Sequence, residues 1–146
     1  ADALVVRTAA RTGLAEADVR AVVDAIPRAL RPDPATVALI GDLRAAGHAL
    51  YFLSNMPEPY AQHLEATHDF LGLFRGGVFS ARARLCKPEP EIFAHCERRF
   101  GLDPARTIFV DDMPGNLAAA RAAGWHALQF IDAAQCAAAL REAGAL

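Results

Sequence analysis

The chain has 146 residues, 53% hydrophobic and 22% charged, with a formal net charge of −2 and a pI near 6.2. That length supports one domain with a real core. The slightly acidic balance argues against nucleic acid or a membrane surface as partner, because both select for a basic face. No apolar run approaches the ~20 residues that a bilayer span needs, and the opening residues show no basic-then-apolar leader pattern.

The three cysteines, Cys86, Cys96 and Cys136, are widely spaced and form no C-x-x-C. They read as reduced thiols of a cytoplasmic protein rather than as a disulfide framework. The five histidines include no H-x-x-x-H pair, so a metal site built on them is not expected.

In chain order, residues 3 to 12 are rich in Ala, Leu and Val and stop at Gly13. Leu14–Ile26 carries Val19, Val22, Val23 and Ile26 at helical spacing. Pro27, Pro32 and Pro34 then break the pattern, which predicts a linker or hinge. Pro34–Gly47 reads as a helix with its glycine stop, and "HALYFLSN" (48–55) as a buried strand. A helix entered through prolines follows over 57–70, then a short strand, "GGVFSA" (76–81). "KPEPEIFAHCERRFG" (87–101) predicts a helix, "TIFVDD" (107–112) a strand, and "PGNLAAARAAG" (114–124) a helix. "WHALQFI" (125–131) predicts a strand and "DAAQCAAALREAG" (132–144) a closing helix. Strands alternating with helices give an α/β fold, a Rossmann-like doubly wound parallel sheet with helices on both faces.

In such sheets the ligand crevice lies beyond the carboxyl ends of the strands. Ser54 and Asn55, Ser80, and Asp111 and Asp112 occupy those ends. A hydroxyl and turn amides at Ser54 suit a phosphate oxygen. Lys87 stands at a helix entrance, where the dipole favours anions, so its ammonium is best explained by an anion it holds. Asp111 and Asp112 offer the hard oxygens that Mg2+ prefers. Hydroxyl, lysine and paired carboxylates at one sheet edge add up to a magnesium-assisted phosphoryl site.

"LSN" (Leu53–Asn55), "KPEPEIF" (Lys87–Phe93) and "FVDDMPGN" (Phe109–Asn116) occur in that order and on the matching elements. They resemble the second, third and fourth motifs of the haloacid dehalogenase-like (HAD) hydrolase superfamily. Its sugar-phosphate phosphatases and the phosphatase-type amino-terminal domain of soluble epoxide hydrolases are the most similar subgroup. The resemblance implies that Ser54 binds the phosphoryl group with support from Asn55, and that Lys87 neutralises nucleophile and phosphate. It implies further that Asp112 ligates Mg2+, that Asp111 does so directly or through water, and that Asn116 orients Lys87 or a neighbouring carboxylate. Lys87, Ser54 and Asp111 are then the catalytic set, and the substrate is a small-molecule phosphate ester.

The superfamily's first motif, D-x-D on the first strand, supplies the nucleophile and the general acid/base. No D-x-D occurs in these residues. The resemblance therefore reads residues 1–28 as the end of a helical cap and 29–146 as the core. It expects a strand, a helix and part of the cap, roughly 40–60 residues at typical element lengths, ahead of them. In that fold the first strand lies between the "LSN" and "FVDD" strands, so its absence predicts two unpaired inner edges. The expected activity is an aspartyl-phosphate phosphatase in a longer parent, with this chain itself inactive. Two alternatives remain: a metal-independent 2-haloacid dehalogenase, disfavoured because those enzymes typically carry uncharged residues where this chain has Asp111 and Asp112, and a non-catalytic HAD-like binding domain.

Overall fold

A computed structural model describes residues 2–146. Two helices open it, α1 (Asp2–Thr12) and α2 (Glu16–Ala29), followed by α3 (Pro34–Ala45). Then come β1 (Tyr51–Ser54), α4 (Glu58–Thr67), a 3₁₀ turn (Asp69–Leu73), β2 (Gly76–Phe79) and a one-turn helix, α5 (Ser80–Ala83). The chain closes with α6 (Pro90–Phe100), a second 3₁₀ turn (Pro104–Arg106), β3 (Ile108–Asp111), α7 (Pro114–Ala122), β4 (His126–Gln129) and α8 (Ala133–Glu142).

The strands form two separate parallel pairs. β1 pairs with β2, Tyr51 opposite Gly76, and β3 pairs with β4, Ile108 opposite His126. Among the described residues no strand joins the pairs. Each of β1 and β3 therefore keeps one unpaired edge, as the absence of a strand between them requires.

Helices cover both faces. On one side Ile92, Phe93 and Cys96 of α6 and Leu117 and Ala120 of α7 pack with Phe109 of β3, Val78 of β2 and Trp125. Phe93 is fully buried and sits edge-on to both Phe109 and Trp125, at centroid distances of 5.6 and 5.5 Å. Aromatic pairs favour such T-shaped contacts. The Trp125 indole donates to Glu97 at 2.7 Å, which satisfies its one polar atom. On the other side Leu39 of α3 and Cys136 and Leu140 of α8 pack together, with Leu128 of β4 and Phe130 against them. Gly77 is required by packing, since a Cβ there would collide with the Phe52 ring.

The expected linker at 27–34 is shorter than the prolines suggest. α2 continues through Pro27 to Ala29. Proline costs a helix because it removes one N–H and leaves the carbonyl four residues earlier without its partner. Here that carbonyl, on Val23, accepts a hydrogen bond from the Tyr60 hydroxyl of α4 at 3.2 Å. The same contact ties α1 and α2 to the core, where Val5, Ala9, Val19 and Val23 pack with Tyr60. Asp33 caps α3 by accepting from the Thr36 N–H at 2.8 Å. His68 is half-buried and lies beyond the end of α4. Its ring nitrogen makes a 2.9 Å hydrogen bond with the Leu30 carbonyl.

Candidate active site

β3 delivers Asp111 at its carboxyl end. Phe109 and Asp111 are buried while Ile108 and Val110 are exposed, so the period of two turns the carboxylate toward α6 and α7. There Asp111 is 7% exposed and three donors hold it. Lys87 Nζ lies 2.6 Å from Oδ2, and Oδ1 accepts from the Met113 N–H at 2.8 Å and from Asn116 Nδ2 at 2.9 Å. Burial alone would raise the pKa of this carboxyl. The hydrogen bonds from Lys87, Met113 and Asn116 and the lysine charge outweigh it and hold Asp111 below its ordinary 3.8.

Lys87 is equally confined. Its side chain is 11% exposed, and its ammonium lies 5.5 Å from the centroid of the Phe109 ring. Its backbone is clamped by Asn55, which accepts from the Lys87 N–H at 2.9 Å and donates to the Lys87 carbonyl at 2.8 Å. This paired contact fastens the carboxyl end of β1 to Lys87, and Lys87 is fastened to the carboxyl end of β3. The two strand pairs thus meet through side chains at the end where ligands bind in α/β sheets.

Of the expected residues, hydrogen bonds join Asn55, Lys87, Asp111 and Asn116 into one network, and the others stand in distinct states. Ser54 ends β1 half-buried, and among the described residues its hydroxyl has no hydrogen-bond partner. Asn55 spends both halves of its amide on the Lys87 backbone. Asn116, in the first turn of α7, grips Asp111 rather than capping the helix, whose N-cap is Met113. Asp112 is exposed, and its carbonyl accepts from Gln129 at 3.5 Å. Ser80 starts α5 and its hydroxyl accepts from the Met56 N–H at 3.0 Å, which shapes the turn after Ser54. Arg82 is bound by Glu58 and Glu65 at 2.9 and 2.7 Å.

Three contributors were not legible in the sequence: the Met113 amide, the Phe109 ring face and the Asn55 clamp. The clamp links residues 32 apart, and no local pattern signals it.

As a magnesium site, the donor set is divided. Both Asp111 oxygens are already engaged, whereas the Asp112 carboxylate faces solvent. No group of three or more His, Cys, Asp or Glu side chains gathers into a metal cage among the described residues. Mg2+ commonly binds through one or two carboxylates and completes its shell with water and phosphate oxygens. Asp112 fits that mode.

The haloacid dehalogenase-like hydrolase family model matches residues 3–124. A sesquiterpene phosphatase from Aspergillus oryzae is 33% identical over 120 residues, which are 82% of this chain and 61% of that protein. A phosphoglycolate phosphatase from Salmonella paratyphi A is 30% identical over 91 residues, 62% of this chain and 36% of that one. Among solved structures, a HAD family enzyme from Bacteroides thetaiotaomicron in complex with magnesium and inorganic phosphate superposes with a TM-score of 0.59 at 26% identity. That match covers 64% of this chain and 50% of the other. The chain thus spans under two thirds of the length of each of these three proteins. The α/β fold, the strand-end constellation and the family match agree, and the chain belongs to the haloacid dehalogenase-like hydrolases.

Proposed function

We propose that the chain carries the phosphate- and metal-binding half of a Mg2+-dependent phosphomonoesterase that acts on a small organic phosphate. The observation that carries this reading is the Lys87 ammonium held 2.6 Å from buried Asp111, with Ser54 next in the chain to the Asn55 that clamps Lys87 and exposed Asp112 next to Asp111. The phosphatase relatives support the reaction class, and the Bacteroides structure, with magnesium and phosphate bound, supports the cofactor.

In this scheme Ser54 donates to a phosphoryl oxygen. Lys87 supplies fixed positive charge where the phosphoryl group gains negative charge, from an ammonium held 5.5 Å from the centroid of the Phe109 ring. Asp111 keeps the ammonium charged and aimed, Asn116 and the Met113 amide keep Asp111 ionised, and Asn55 fixes the lysine backbone. Asp112 would hold Mg2+ directly, with Asp111 behind it. When bound, the ion would neutralise phosphoryl oxygens and orient the ester for in-line attack. The nucleophile and general acid come from a D-x-D segment of a longer protein, through an aspartyl-phosphate, so these 146 residues alone do not turn over. The helical pair α1 and α2 is read as part of the cap that selects the substrate.

Hydrolysis of p-nitrophenyl phosphate with and without Mg2+, by this chain and by a longer form carrying D-x-D, tests the reading. The expected result is Mg2+-dependent turnover by the longer form only, reduced at least a hundredfold by Lys87→Ala. Turnover by the 146-residue chain would remove the assigned nucleophile, and an inactive longer form would remove the phosphatase assignment.

A further inference from the structure

β2 has β1 on one side, and among the described residues no strand takes its other side. Alternate residues of a parallel strand bond to alternate sides. β3 shows the rule: the Thr107 and Asp111 carbonyls accept from His126 and Phe130 on the β4 side, at 2.9 and 3.0 Å, so Val110 between them faces away, toward the groove between β1 and β3. By the same rule two of the four β2 residues turn their N–H and C=O groups outward, away from β1. Gly76 and Gly77 carry no side chains that could screen this outer edge. A cavity of about 500 Å³ runs round it. Phe52, Leu71 and Phe79 line it on one face of the sheet, where the Phe52 and Phe79 rings lie 4.7 Å apart. His95 and Arg99 of α6 line it on the other face, where Val78 packs against that helix. Its only strand residues besides Phe52 are Gly77, Val78 and Phe79, so it passes from face to face around the outside of β2.

The groups around this edge select an occupant. His95 Nε2 is the one buried side-chain nitrogen or oxygen that lacks a hydrogen-bond partner among the described residues, and buried polar groups are normally partnered. Arg99 is exposed, lies 5.5 Å from the centroid of the Phe100 ring and has no carboxylate partner among the described residues. Arg75, directly before β2, is likewise exposed and without one. Arg82, at the end of the cavity, is instead engaged by Glu58 and Glu65. A second copy of the chain pairing edge to edge would set these arginines against their own kind, since such a contact is self-complementary and like charges across a strand pair repel. An acidic strand meets the same arginines favourably. We propose that the outer edge of β2 binds an extended segment of a partner protein in which acidic and apolar residues alternate, added beside β2 as a further strand. The period of two then sends the acidic side chains toward Arg99 and His95 and the apolar ones toward Phe79 and Leu71.

The probe is a fluorescein-labelled octapeptide, Gly-Glu-Val-Glu-Val-Glu-Val-Gly, titrated with the chain and followed by anisotropy. The expected result is saturable one-to-one binding, weakened at least tenfold by Arg99→Glu and at least tenfold when the three glutamates of the peptide are replaced by lysine. N-methylation of one alternate set of the six central residues should weaken it at least tenfold and methylation of the other set less than twofold, because a strand added at an outer edge pairs on one side only. If Arg99→Glu does not fold, the lysine and methylated peptides still decide the matter. Loss with both methylated sets would show insertion between two strands, and loss with neither would show contact through side chains alone; each overturns the proposal. Binding that ignores Arg99→Glu in the folded variant would place the peptide elsewhere. Displacement by free glutamate at the peptide's own concentration would show a small-anion pocket. Either result, absence of binding, or dimerisation of the chain through β2 would equally overturn the proposal.

Discussion

Asp111 and Val110 are neighbours on β3, yet they belong to regions with opposite physics. Around Asp111 the protein is finished: both carboxylate oxygens have donors, and the lysine that neutralises it is buried with it. Around Val110 it is open: one side of the strand has a ladder, and the other faces a groove with unpaired backbone. The contrast teaches where the energy of this fold resides. The polar end of the sheet is held by a closed network, while the apolar middle keeps strand edges without a partner among the described residues.

Substitutions can break this contrast, and the largest effect is expected in the aromatic core. Phe93→Ala removes a ring packed against Phe109 and Trp125, and should cost about 4 kcal/mol in urea unfolding. Next comes Lys87→Met, which leaves the Asp111 carboxylate buried without its charge partner at a cost of about 3 kcal/mol. Both values are measured on the chain without divalent cations.

Acid should act on the same network. Because the folded Asp111 carboxyl titrates below its ordinary 3.8, its contribution is present above that value and is lost as pH falls through the folded pKa. Unfolding in EDTA across pH 2 to 6 should show this loss, and Asp111→Asn should flatten it.

The smallest effects are expected on the open side. Val110→Thr should change stability by about 0.5 kcal/mol or less, since the residue is 38% exposed. Asp112→Asn should leave the unfolding curve in EDTA equally unmoved, while abolishing the stabilisation by millimolar Mg2+ that the proposed site is expected to give the unsubstituted chain. A strong loss from either change without metal would erase the distinction between the closed and open regions.

Much of this arrangement was legible in the residues. Hydrophobic period and glycine stops marked the principal helices, and Gly101 does end α6 in a left-handed conformation at φ 65°. Four-residue strands were readable because each falls within a short, largely apolar run between helical patterns. Pro27 misled because its cost is set by what lies four residues back, and only the fold brings Tyr60 there. The site residues were legible as types at strand ends. Their division of labour was not, since it depends on distances. Asp111 and Asp112 look alike in the sequence, yet one is encased by Lys87 and Asn116 and the other is free to meet a cation. Asn55 looked like a phosphate ligand by its place next to Ser54, and only the tertiary structure shows its amide spent on Lys87.

Amide hydrogen exchange along β3 tests the open edge most directly. The account predicts rapid exchange at the Val110 N–H, which faces the groove, and exchange slowed at least a hundredfold at the Phe109 and Asp111 N–H groups, which face β4. Equal protection of all three would contradict it, because β3 would then be paired on both sides.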